Sequence, residues 1–323
     1  MTFRLLSLSD IKKTITMPEA IDAMETAFLQ LARSEVQLPL RTMIPIKEKQ
    51  AITGAMPAYL QKEDVLGLKV VSIFPENLKK NKPSINGFIV LLNEETGELK
   101  ALMDAGYLTA LRTGAISGLA TKYFSSENAT HLSLIGAGVQ AHTQLEGVTA
   151  VRPIKKISVW SLDFESAKNF AKQYEKKYEI TPCNSISEAV KDADVICTAT
   201  GSTESLIFLE DIKPNAHING IGSHTKAMRE IDKGVLSEAV VIVDQVEAAL
   251  SEAGEIIHAI EERALKKDSL IELGQWLLNK ERDYKNRLSV FKSVGLAIQD
   301  LSVANMVFRK ALSQGLGAEL SLF

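Results

Sequence analysis

The stretch Leu132–Ala141, LSLIGAGVQA, decides the fold. Four apolar-rich residues run into Gly136, Gly138 and Ala141, which occupy the three positions of a G-x-G-x-x-G/A pattern. Each small residue has a local reason. Gly136 permits a tight turn, Gly138 lets backbone approach a pyrophosphate, and Ala141 allows a helix to pack closely on the preceding strand. Phosphates would then meet free N–H groups at a positive helix end. Backbone from Gly136 through Ala137, Gly138, Val139 and Gln140 is therefore the candidate dinucleotide cradle.

Downstream, strand and helix patterns alternate. KKISVWS (155–161) reads as a strand, ESAKNFAKQYEKKY (165–178) as a helix, SISEAVKDA (185–193) as a short helix and DVICTAT (194–200) as a strand. HINGIG (217–222) and VVIVDQ (240–245) read as further strands. Such alternation indicates βαβ units and a parallel sheet. Thr198 and Thr200 end one of these strands, at the carboxyl edge where open α/β sheets bind ligands, and are candidate cofactor contacts. In VWSLDFES, Ser161 stands where an NAD enzyme usually places an acid, and Asp163 lies two residues on. Asp163 either hydrogen-bonds the ribose, which would favour NAD(H) over NADP(H), or caps the next helix.

Upstream the pattern differs. Residues 10–34 read as one helix, with Thr16 and Glu19 at capping-box spacing and Pro18 in the first turn. VQLPLRTMIPI, AITGAMPAYL, LGLKVVSIF and INGFIVLLN follow as strands of a mostly antiparallel sheet. FIVLLN-EETGE-LKALMD reads as a hairpin turning at Gly97. GYLTALRTGAISGLATKYF (106–124) reads as a helix. LSVFKSVGLAIQDLSVANMVFRKAL (288–312) reads as a strand and a helix, with Asp300 as its candidate N-cap. The expected fold class is α/β. A Rossmann domain, residues 119–299, is inserted into an α+β substrate-binding and dimerisation domain, residues 1–118 plus 300–323.

Bulk composition narrows the class. In 323 residues, 46% apolar and 24% charged, a two-domain globular protein is expected. Net charge is −3 without a Lys/Arg block, which gives nucleic-acid binding no support. No apolar run is long enough for a membrane span, and the first residues lack the form of a secretory signal. Cys183 and Cys197 form no CxxC pair and no metal-like cluster with the five histidines, so reduced thiols, a cytoplasmic location and no metal site are expected.

Particular strings carry more. RTMIPI, GAMPAYL, GLKVVSIFPEN, NGFIVLLNEETGEL and LTALRTGAISGLA, followed by IGAGVQA and closed by SVGLAIQDLSVA, resemble the ornithine cyclodeaminase/μ-crystallin family over essentially the whole chain. The resemblance implies a homodimer with the active site between two domains. It implies that Arg41 and Arg112 bind a substrate carboxylate, as paired guanidinium forks can. Lys69 would reach the same site, and a desolvated lysine among cations suits proton transfer with a substrate nitrogen. Arg112 could alternatively touch cofactor phosphate. Met56 and Ser84 are implied substrate contacts, Met56 being equally explained by packing. Thr113 would contact phosphate, and Val294 and Gly295 the nicotinamide.

One departure bears on activity. Where cyclodeaminases carry a catalytic Asp in G-x-D-x-P-G-K, this chain reads GIGSHTKAMREID, with His224 at the Asp position and no Pro-Gly-Lys. A neutral imidazole is no substitute for a carboxylate facing an ammonium, so ornithine cyclodeamination is disfavoured. His224 stays a candidate substrate contact, and Glu230 and Asp232 read as helix-stabilising. The resemblance then implies an NAD(P)H-dependent oxidoreductase acting on C–N bonds. Its substrate would be a small cyclic 2-imino acid, Δ1-pyrroline-2-carboxylate or Δ1-piperideine-2-carboxylate. Alternatives are alanine or another amino-acid dehydrogenase, ornithine cyclodeaminase, and a non-enzymatic μ-crystallin-like binding protein.

Overall fold

The computed structural model describes residues 2–280 and 282–322. The chain divides into two compact units, Met1–Arg112 with Leu296–Phe323, and Thr113–Gly295. The expected divisions, after residue 118 and before residue 300, fall instead after 112 and before 296. The helix Gly106–Phe124 is unbroken, so no change of pattern marks the first crossing.

The first unit begins with β1 (Thr2–Leu6), α1 (Leu8–Thr14) and α2 (Met17–Ala32). The single helix expected over 10–34 is thus two. Ser7 caps α1, Ile15 is extended, and the Thr16–Glu19 capping box with Pro18 starts α2 afresh. Then come β2 (Val36–Gln37), β3 (Thr42–Ile46), β4 (Ala51–Leu60), β5 (Val65–Ile73), β6 (Ile85–Leu92) and β7 (Leu99–Asp104). β4, β5, β6 and β7 pair antiparallel in succession, and the β6–β7 hairpin turns at Gly97 with φ +73°. α3 (Gly106–Phe124) follows. Residues 110–121 are buried on every side, the polar Arg112, Thr113, Ser117 and Thr121 among them.

The second unit holds β8 (His131–Ile135), α4 (Val139–Thr149), β9 (Lys156–Trp160), α5 (Phe164–Tyr174), β10 (Glu179–Pro182) and α6 (Ile186–Val190). It continues through β11 (Val195–Thr198), β12 (His217–Gly220), α7 (Lys233–Glu238), β13 (Val240–Val243), α8 (Val246–Glu252) and α9 (Gly254–Glu261). β14 (Ile271–Glu272), α10 (Leu273–Asn279) and β15 (Ser289–Lys292) complete it. The eight strands are all parallel, in the order β10-β9-β8-β11-β12-β15-β13-β14. Chain order reverses between β8 and β11, the crevice where doubly wound sheets take nucleotides. Leu132, Leu134, Leu145, Ile157, Val159 and Phe170 form one buried core between sheet and helices.

The chain ends in the first unit with α11 (Ala297–Gln314) and β16 (Ala318–Ser321), which pairs antiparallel with β1. α11 packs on α2 and on the β4–β6 face, and Leu301 lies against Gly67, where an added Cβ would meet its side chain at 3.1 Å. Asp300 does not cap this helix. Leu296 is the N-cap, and Asp300 sits inside the first turn with 0% exposure.

Candidate active site

In the first unit, the chemistry gathers around Asp300. Lys69 lies mid-β5, opposite Met56 on β4 and Ile89 on β6, and all three are buried. Lys69 Nζ is 2.7 Å from Asp300 Oδ2. Arg112 Nε donates to Asp300 Oδ1 at 3.0 Å, and its Nη1 donates to Gln299 Oε1 at 2.7 Å. Asp300 in the first turn of α11 also faces the positive end of that helix's dipole, which favours its carboxylate. Burial drives the Lys69 ammonium down from 10.5 to about 8; Arg112 and Arg41 push the same way, against the opposing pull of Asp300. Arg41, half-buried in the segment before β3, is thus close enough for Lys69 to feel its charge. Two cations, Lys69 and Arg112, share one carboxylate, an excess of positive charge suited to an anionic ligand.

Met56 serves both readings: it is 3% exposed, hence core, and its side chain neighbours Lys69 across the strand pair. Ser84 is placed differently. Its carbonyl accepts from Phe74 N–H at 2.7 Å, beyond the end of β5. It therefore lies five strand positions from the Lys69 row, roughly 16 Å along the sheet.

In the second unit, the cradle has the form its sequence requires. Gly136 has φ +112°, and a Cβ there would lie 2.6 Å from Ala199 O. Gly138 is the N-cap of α4 without a side-chain cap, and a Cβ added to it would meet nothing within 4 Å. Open space therefore stands before the N–H groups of α4, flanked by half-buried Ala137 and Gln140 and by exposed Val139. These residues fit a dinucleotide pyrophosphate. Thr113 is buried, and its carbonyl accepts from Gln144 Nε2 at 3.2 Å. The adjoining Gly114 of RTGA is where α3 and α4 touch: a Cβ there would be 2.1 Å from Thr143 O.

Asp163 takes the capping role. It accepts from Glu165 N, Ser166 N and Ser166 Oγ, which hold its carboxyl below the usual range. Half-buried Ser161 is left at the end of β9. The threonines expected to touch cofactor are engaged elsewhere. Thr198 is wholly buried and donates to Glu230 Oε2 at 2.8 Å, while Thr200 N and Oγ1 both donate to Glu230 Oε1. Gly222 N and Ser223 N donate to Oε2 as well. Glu230 is therefore no helix stabiliser: it pins two loops at the carboxyl edge of the sheet. Asp232 does cap a helix, accepting from Gly234 N at the start of α7.

Two further buried acids were not legible as such. Asp244 Oδ2 accepts from Ser293 Oγ, Val294 N and Gly295 N, which fixes the turn at Val294. Glu255 pairs with Lys292 at 3.1 Å, both wholly buried, and Lys292 Nζ also donates to Ser223 O at 2.5 Å. His224 Nδ1 lies 2.8 Å from Gly222 O. A carbonyl only accepts, so Nδ1 carries a proton and donates to it. Among the described residues there is no group of His, Cys, Asp and Glu able to hold a metal, and no helix is long and apolar enough to cross a membrane.

The model of the ornithine cyclodeaminase/mu-crystallin family matches residues 2–315. The chain belongs to that family. It is 34% identical over 322 residues to the Δ(1)-pyrroline-2-carboxylate reductase of Bacillus cereus, covering 98% of this chain and 99% of that protein. The structure of Thermococcus litoralis Δ(1)-pyrroline-2-carboxylate reductase in complex with NADH and L-proline superposes with TM-score 0.94 at 38% identity, covering 98% and 99% of the two chains. An archaeal alanine dehydrogenase, described as a dimer with bound NAD, gives TM-score 0.93 at 32% identity with both chains fully covered.

Proposed function

We propose that this family member is an NAD(H)-dependent reductase of a small cyclic 2-imino acid, with Δ1-pyrroline-2-carboxylate as substrate and L-proline as product. The observation that carries the reading is the Lys69–Asp300–Arg112 cluster, a buried lysine softened toward neutrality among excess positive charge. The reductases of Bacillus cereus and Thermococcus litoralis support the substrate class, and the NADH and NAD seen in the two similar structures support the cofactor.

In this reading Arg112 and Arg41 take the substrate carboxylate, as guanidinium forks do. The Gly136–Gln140 cradle would hold a nicotinamide cofactor, which would supply the hydride for the imine carbon. Lys69 gives a proton to the ring nitrogen as the C=N bond becomes C–N, so the product amine gains one hydride and one proton. A lysine near 8 is still mainly protonated at neutral pH yet gives up its proton far more readily than an ordinary one. Asp300 keeps Nζ in place, and Met56 walls Lys69 from water. Val294 and Ser161 are proposed cofactor contacts. Ser84, His224 and Thr113 are proposed contacts on motif position alone.

Purified protein mixed with the cyclic imine and either NADH or NADPH tests this directly. Faster oxidation of NADH supports it; no oxidation of either cofactor overturns it. The alanine dehydrogenase likeness makes pyruvate plus ammonia the necessary parallel substrate. Ammonia release from ornithine would indicate the cyclodeaminase, and cofactor binding without any turnover the binding protein. A homodimer is proposed on the same likeness, to be checked by light scattering. A cytoplasmic site is proposed on the two buried free thiols, Cys183 and Cys197.

A further inference from the structure

Gln299 stands beside Asp300 in the first turn of α11 and is wholly buried. A guanidinium only donates, so the Gln299 oxygen must face Arg112, and the 2.7 Å contact fixes the amide's orientation. Nε2 is then turned away from Arg112. It is buried and has no hydrogen-bond partner among the described residues. Buried amide N–H groups are nearly always satisfied, and a lone one points to an acceptor that arrives from outside. Only anionic or carbonyl oxygen would serve, and the surrounding excess of cations selects the anion.

Charge accounting leads to the same place. Lys69 and Arg112 both pair with Asp300, two cations on one carboxylate, and Lys69 also feels the charge of Arg41. Two of the five N–H groups of Arg112 are committed, to Asp300 and Gln299. A glutamate at 299 would accept the same Arg112 bond, with the same shape, but would cancel the positive excess and turn an oxygen where an N–H now is.

We infer that Gln299 is a substrate-carboxylate contact: its oxygen holds Arg112, its Nε2 donates to the carboxylate, and its neutrality makes the site select anionic substrates. This rests on the reductase reading above.

The test compares Gln299→Glu and Gln299→Met with the unaltered enzyme, using imine turnover and calorimetric binding of L-proline and L-prolinamide in the presence of cofactor. L-prolinamide differs in lacking the carboxylate charge. For Q299E the expected result is a KM for the imine raised about tenfold or more, with kcat within about threefold, as for loss of a charge-assisted contact. Proline affinity should fall in parallel while prolinamide affinity does not. A folded Q299E with KM within about twofold of the unaltered enzyme, or with proline and prolinamide weakened equally, overturns the inference. Should Q299E not fold, Q299M, neutral and of similar length, carries the test. It should raise KM about fivefold with little change in kcat, and an unchanged KM overturns the inference. Unaltered enzyme that neither reduces the imine nor binds proline would instead sink the reductase reading, and this inference with it.

Discussion

Lys69 and Asp300 meet at 2.7 Å with side-chain exposures of 2% and 0%. Neither charge is tolerable alone at that depth, so each makes the other's burial possible. Asp300→Asn keeps the shape and removes the counter-charge. Two facing cations then lose their shared partner. Unfolding free energy should fall by about 3–5 kcal/mol, the usual cost of breaking a buried pair from one side. Urea denaturation measures it. A loss no larger than that of a surface substitution would mean water reaches the cluster.

The pH dependence follows from the Lys69 value of about 8. Imine reduction needs the ammonium form, so its rate should decline as pH rises through about 8. Oxidation of L-proline needs the neutral amine and should rise over the same range. Stability has its own sign. The folded value lies below the ordinary 10.5, so the unfolded chain holds the extra proton between the two values. Stability should therefore gain from this group as pH rises from about 8 toward 10.5, and the penalty is fully present below 8. Initial rates in both directions across pH 6–10 check the first claim. Parallel rather than opposed profiles would remove Lys69 from proton transfer.

Substituting the two glycines of the cradle should have separable effects. Gly136→Ala forces a side chain into φ +112° against Ala199 O, so it should destabilise by about 1–3 kcal/mol or more. Gly138→Ala meets no neighbour and has φ −82°, so the melting temperature should hardly move. NADH binding should nonetheless weaken, because the methyl group fills the space in front of α4. Thermal melts with NADH fluorescence titrations distinguish the two. Normal NADH affinity in Gly138→Ala would place the phosphates elsewhere.

Glu230→Gln should act through the two loops that Glu230 holds. Five donors converge on that carboxylate, and an amide would turn an NH2 toward some of them. Leaving even one buried donor unpaired costs about 1–3 kcal/mol, so a clear drop in melting temperature is expected. Hydrogen exchange at Gly222 and Ser223 should speed up. A variant as stable as the parent, with those amides still protected, would show that the loops hold without it.

The second unit was readable because its signals are local. Gly136, Gly138 and Ala141 sit within six residues, and strand and helix periods alternate around them. Lys69 and Arg112 were recognisable by motif, but their partner was not. Asp300 looks like a capping residue from its neighbours in sequence, and what makes it a counter-ion is a fold contact 188 positions from Arg112. For Thr198 and Thr200, strand-edge position is visible in sequence, whereas the Glu230 side chain that takes their hydroxyls comes from a loop 32 and 30 residues away. Asp163 carried two local meanings, and the three bonds it makes to α5 decided between them.

The late position of α11 has a consequence for biosynthesis. A ribosome releases Lys69 and Arg112 long before it adds Asp300, with residues 113–295 emerging in between. Until α11 is made, closing the sheet would trap two cations with no anion, so the first unit must wait as an open intermediate while the second can already fold around its own local contacts. The charge cluster thus doubles as a checkpoint for finished synthesis: a nascent chain halted before residue 300 should carry a folded second unit and a protease-sensitive first one.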